Sequence, residues 1–105
     1  MTGPRILIVD DEAAVLAALQ RALRQRYGRR LLVETELDAS AALERAKEQD
    51  FDVVISDQCM PAMDGVRFLS AIAAIRPHSV RMMLTGWRRT TPASRASSGA
   101  RTGRC

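Results

Sequence analysis

Four apolar residues, Ile6, Leu7, Ile8 and Val9, run without a polar interruption and stop at three consecutive acids, Asp10, Asp11 and Glu12. A strand with one wet face would alternate, so an uninterrupted and largely β-branched run suits a strand buried on both faces. Comparable runs recur at Leu31–Thr35, Phe51–Asp57 and Val80–Thr85. The intervening segments carry helical spacing instead. Residues 12–27 place Val15, Leu16, Leu19, Leu23 and Tyr27 on one stripe, with Gln20, Arg21, Arg24 and Gln25 elsewhere, and Gly28 is a natural stop. Asp38 or Ser40 can cap a second helix through about Gln49, with Ala42, Leu43 and Ala46 inward. A turn containing Pro61 and Gly65 precedes a third helix, Val66–Ile75, with Phe68, Leu69, Ile72 and Ile75 apolar, and Pro77 ends it. The order βαβαβαβ with right-handed crossovers implies an α/β fold: a parallel sheet with helices on both faces.

The 105 residues allow one small domain. Aromatic residues are only 4% of the chain, so the core is aliphatic. No apolar run approaches the roughly 20 residues that span a bilayer, and the segment before Asp10 is too short for a secretory signal. Cys59 and Cys105 form no CxxC or metal-type pair and give no reason to infer a disulfide framework, so a reducing, cytoplasmic setting is expected. Charge divides the chain. Residues 1–87 hold eleven basic and twelve acidic side chains, whereas residues 88–105 hold five arginines and no acid. That tail has no Val, Ile, Leu, Met or aromatic residue, cannot bury enough apolar surface to offset its ordering entropy, and is expected to be disordered. The organised part is therefore residues 4–87. Basicity confined to such a tail, with no interleaved aromatics, reads as a solvated segment, and the domain itself is not expected to bind nucleic acid.

Open parallel sheets bind ligands at the carboxyl ends of their strands. Strand one ends in Asp10 and Asp11, strand three in Asp57, and strand four in Thr85. If strands one and three are neighbours, the three carboxylates converge. At about 4 Å and an effective dielectric near 20, each pair would then repel by roughly 4 kcal/mol. Arg5 and Arg67, the nearest bases, are poorly placed to neutralise them. A hard divalent cation would do so: Mg2+ takes one or two carboxylates, a carbonyl and waters, and leaves room for phosphate oxygens. Thr85 could then hydrogen-bond such an oxygen from the next strand.

These residues resemble a known family. Asp10-Asp11, the block from Asp57 to Gly65 (Asp-Gln-Cys-Met-Pro-Ala-Met-Asp-Gly) and Leu84-Thr85-Gly86 are similar to the receiver domain of bacterial two-component response regulators. The resemblance covers residues 5–87. It implies a flavodoxin-like sheet of order 2-1-3-4. It also implies that Asp57 accepts a phosphoryl group from a sensor histidine kinase, without the chain itself being an enzyme. Asp11, Asp57 and the backbone carbonyl of Cys59 would hold Mg2+, with Asp10 acting through water, and Thr85 would contact the phosphoryl group.

The sequence departs from that family after Trp87. A complete receiver resembles (βα)5, whereas this chain patterns four strands and three helices before the tail. The family's strand-five lysine has no counterpart, because the only lysine, Lys47, falls on the second helix. The abrupt change of composition looks like a shifted reading frame or a truncated gene. Strand four is then expected to be an exposed edge, with Arg81 as its only gatekeeper and self-association as one outcome. Met82 and Met83 read as core.

Simpler readings of the same residues are available. Asp10, Asp11 and Glu12 could merely begin a helix, and Asp64-Gly65 reads as a turn and helix cap rather than a ligand. The main alternative to a working phosphoacceptor is a non-signalling remnant or oligomerising module. An aspartyl-nucleophile phosphatase fits less well, because it expects Asp-x-Asp after strand one. A dinucleotide site expects glycines where the acids stand.

Overall fold

The computed structural model describes residues 3–84. β1 (Arg5–Val9) leads into α1 (Ala13–Tyr27), a 3-10 turn (Gly28–Arg30), β2 (Leu32–Glu36), α2 (Ala39–Glu48), β3 (Val53–Asp57), α3 (Gly65–Ile75) and β4 (Val80–Leu84). The strands pair in parallel in the order β2-β1-β3-β4, as the patterning and the resemblance imply. Expectations for Thr85, Trp87 and the arginine tail lie outside the described residues.

Strand alternation divides the sheet between two cores. Ile6 and Ile8 point to one face, where they meet Leu16, Leu19 and Leu23 of α1. Leu7 and Val9 point to the other, where α2 and α3 supply Ala42, Ala46, Phe68 and Ile72. The alanines let α2 sit close to the sheet, and Phe68, fully buried, fills the space beside it. The continuous apolar run of β1 is thus explained: this central strand is covered on both faces.

Helix ends follow local chemistry. Gly28 stops α1 with φ of 58°, a left-handed conformation that costs glycine little. Of the two cap candidates for α2, Asp38 is the one used, and its carboxylate accepts from the Ala41 N–H at 2.9 Å. Asp64 caps α3 in the same way, accepting from the Arg67 N–H at 2.8 Å. On the α2 side of β2, Glu34 joins Arg5 of β1 at 2.7 Å to Arg45 of α2 at 2.6 Å, strapping three elements together.

Several expectations need correction. β2 and β3 begin one and two residues later than the apolar runs do: Leu31 closes the 3-10 turn, and Asp52 precedes the ladder. Tyr27 lies on the apolar stripe of α1 but extends beyond the sheet and is exposed, with the Arg26 guanidinium 5.9 Å from its ring centre. Met82 is not core. It is 51% exposed, because α1 covers β1 and β2 but does not reach β4. No described helix is long and apolar enough to cross a membrane.

Candidate metal centre at the carboxyl end of the sheet

The β1–β3 register sets the site. Val9 is level with Ser56, so the next residue of each strand, Asp10 and Asp57, arrive side by side at the sheet's carboxyl rim. Both are fully buried, while Asp11, one residue further on, is exposed. One carboxylate oxygen from each of the three lies within 4.8 Å of the others. Asp10 is held at both ends. Its N–H donates to the Glu36 carbonyl at 3.2 Å, and its Oδ1 accepts from the Glu12 N–H at 2.9 Å. That second bond also shows what the acidic run does for α1: Glu12 is the cap residue but makes no side-chain cap bond.

The loop after β3 is fastened to the core. Gln58 N–H donates to the Leu84 carbonyl at 3.1 Å, and Gly65 N–H donates to the Gln58 carbonyl at 2.8 Å. Met60 is buried in the α2–α3 core, with Met63 packed against it. Gly65 approaches so closely that a Cβ there would lie 2.4 Å from the Asp57 carbonyl oxygen. The methionine-containing block therefore works as an anchor that fixes the backbone around Asp57, with Cys59, half-buried, between its fastened ends. The sequence flagged Gly65 only as a turn residue. Its clearance to a strand end could not be read from a local pattern.

Among the described residues, two basic side chains are engaged elsewhere in the fold. Arg5 is at the amino end of β1, paired with Glu34, and Lys47 pairs with Glu44 at 3.0 Å on exposed α2. Carboxylates at 4.8 Å repel by roughly 3.5 kcal/mol per pair at an effective dielectric of 20. A cation among them converts that repulsion to attraction. The donors are all hard oxygens with no imidazole, a set suited to Mg2+ or Ca2+ rather than to a softer transition metal. The structure thus brings together Asp10, Asp11 and Asp57. It places Cys59 two residues beyond Asp57, and Thr85 falls outside the described residues.

The sequence pattern of the response regulator receiver domain matches residues 6–101. The chain belongs to this family. This receiver is 40% identical over 75 residues to the transcriptional regulatory protein PrrA of Mycobacterium tuberculosis, covering 71% of the chain and 31% of that relative. It is 41% identical over 75 residues to a protein-glutamate methylesterase/protein-glutamine glutaminase of Anaeromyxobacter dehalogenans, covering 71% of the chain and 21% of that protein. The receiver therefore spans about a third or less of the length of these relatives. Among solved structures, it resembles the chemotaxis protein CheY4 of Vibrio cholerae with a TM-score of 0.72 and 30% identity, over 93% of this chain and 79% of that one. The signal receiver domain of an HD domain-containing protein from Pseudomonas fluorescens gives 0.73 and 30%, over 91% and 73%.

Proposed function

We propose that this receiver is a phosphoacceptor, taking a phosphoryl group from the phosphohistidine of a sensor kinase onto Asp57 in the cytoplasm. The observation that carries the reading is the convergence of Asp10, Asp11 and Asp57 at the end of the sheet, two of them fully buried. Asp11, Asp57 and the Cys59 carbonyl are the proposed Mg2+ ligands, with Asp10 acting through water. When bound, the ion would offset the negative charge shared by the carboxylates and the incoming phosphoryl oxygens. An oxygen of Asp57 forms the new P–O bond as the P–N bond breaks and its electron pair stays on the ring nitrogen; with a proton already on the other ring nitrogen of the phosphohistidine, the histidine leaves as neutral imidazole. Asp10 is held by its two backbone bonds, so its carboxylate stays fixed while Asp57 reacts. Thr85 follows Leu84, which is level with Asp57 in the β3–β4 register, and its hydroxyl is the proposed donor to a phosphoryl oxygen.

One observation favours slow transfer or a non-signalling receiver. The chain's single lysine is on α2, paired with Glu44, so no lysine of this chain stabilises developing charge at Asp57. The test is incubation with a small acyl phosphate and Mg2+, read by intact mass. The wild type should gain one phosphoryl group at low yield, and Asp57→Asn should gain none. The same modification on Asp57→Asn would refute the assignment. A wild type that stays unmodified over hours would favour the non-signalling reading.

A further inference from the structure

β4 has β3 on one side, and no described strand lies on the other. Its register pairs Val80 with Val53 and Met82 with Ile55, so these four side chains share one face of the sheet; Val53 and Ile55 pack against the core that includes Leu16 of α1, whereas Val80 and Met82 lie outside it. Val80 and Met82 are 56% and 51% exposed. We propose that two copies of this chain join through β4, antiparallel, about a two-fold axis at Met82. The inference does not depend on the phosphoacceptor reading.

The backbone selects the register. Val80 N–H donates inward to Asp52 at 2.9 Å, and the Leu84 carbonyl accepts inward from Gln58 at 3.1 Å. Residues two apart in a strand direct their polar groups the same way. The N–H and C=O groups of Arg81 and Met83 therefore point outward, available to a second strand. Pairing Arg81 with Arg81 would set like charges opposite each other. Pairing Arg81 with Met83 of the second copy uses all the outward groups of both strands and closes two reciprocal pairs. Met82 then faces Met82, and Val80 faces Leu84, in one apolar row. The gatekeeper does not obstruct this, because the Arg81 guanidinium folds back onto the carbonyls of Ser79 at 2.9 Å and Pro77 at 3.5 Å.

A second copy fits this edge better than the alternatives within the chain. Residues 85–105 contain five arginines and only one large apolar side chain, Trp87, so they lack the apolar surface to match Val80 and Met82. The opposite edge of the sheet is guarded: the Gln20 amide donates to the Val33 carbonyl at 3.3 Å, and Glu34 and Glu36 are held in ion pairs. β4 pairing with itself closes a dimer, whereas β4 pairing with β2 would propagate.

Because Met82 faces itself, charge substitution there gives a paired test by light scattering. The wild type should be a dimer at micromolar concentration. Met82→Lys and Met82→Glu should each raise the dimer dissociation constant at least about tenfold, and their equimolar mixture should recover a dimer. A monomeric wild type, a variant that alone dimerises as well as wild type, assembly beyond two copies, or a mixture that stays monomeric would each overturn the proposal. In a background with Cys59 and Cys105 changed to serine, Met82→Cys should form an intermolecular disulfide faster than Val80→Cys. The reverse order would refute the register.

Discussion

Replacing Gly65 by alanine tests whether the loop after β3 is an anchor for Asp57. The added Cβ would lie 2.4 Å from the Asp57 carbonyl oxygen, 3.1 Å from Gln58 Cα and 3.2 Å from the Asp57 carbonyl carbon. All three neighbours are backbone, so no flexible side chain can swing away. Reaching ordinary contact requires α3 to move outward or the end of β3 to move inward. Overpacking of this kind costs about 1–3 kcal/mol. Stretching the bond from Gly65 N–H to the Gln58 carbonyl adds about 0.5–1.5 kcal/mol. Alanine's better helix propensity returns up to about 1 kcal/mol. The net expectation is a loss of about 1–3 kcal/mol, which for a domain of this size lowers Tm by about 10 °C. Calorimetric melting measures it, with Ser70→Ala on the exposed side of α3 as a control expected within about 0.5 kcal/mol of wild type. Because the displaced atoms belong to Asp57 and Gln58, Mg2+ affinity should fall together with stability. A Gly65→Ala protein that melts at or above the wild-type temperature would refute the close-approach argument. A protein that is destabilised yet binds Mg2+ as before would separate the loop from the site.

Asp11→Ala should weaken Mg2+ binding measured by calorimetric titration, and an unchanged affinity would remove Asp11 from the proposed ligand set. Protons compete for the same oxygens, so Mg2+ affinity should fall as the solution is acidified; an affinity independent of pH would argue against carboxylate ligation. Phe68→Ala should cost about 3–5 kcal/mol in urea unfolding, since the ring is fully buried between α3 and the sheet; a cost under about 1 kcal/mol would show that the core collapses around the gap. Glu34→Gln should cost no more than about 1 kcal/mol and less in high salt, because the Glu34 pairs with Arg5 and Arg45 are partly exposed; a larger, salt-independent loss would show that the strap is better desolvated than its exposure indicates.

The parts of this fold that sequence made legible are those governed by short-range rules. The uninterrupted run Ile6–Val9 announced a strand covered on both faces. The spacing of Leu16, Leu19 and Leu23 announced the inward side of α1, and Asp38 and Asp64 announced helix caps. Asp10, Asp11 and Asp57 were legible as a cluster because each ends a strand. What stayed hidden depends on which distant residues meet. Arg5 and Glu34 are 29 positions apart, and no periodicity relates them. The Ser79 hydroxyl closes onto the Phe51 carbonyl at 2.5 Å, and the clearance at Gly65 depends on how α3 returns over β3. Met82 misled for a related reason: its strand is apolar enough for a core, and its exposure follows from how far α1 extends across the sheet.

The position of β1 between two partners has a consequence for amide exchange. Its N–H groups lie inside the sheet with helices on both faces, so exchange at Leu7 and Ile8 requires opening of the whole domain. The outward amides of Arg81 and Met83, which no described strand pairs, exchange without any opening unless a second copy covers them, and the inward amides of β4 exchange by fraying of a single strand. Asp10 and Asp57 end neighbouring strands of the slow-exchanging centre, whereas the contact from Gln58 to Leu84 belongs to the fast-exchanging margin. Deuterium uptake should therefore rise first at Gln58 and along β4 while the amide of Asp10 stays protected: the rim of the acidic cluster fluctuates on a shorter timescale than its floor.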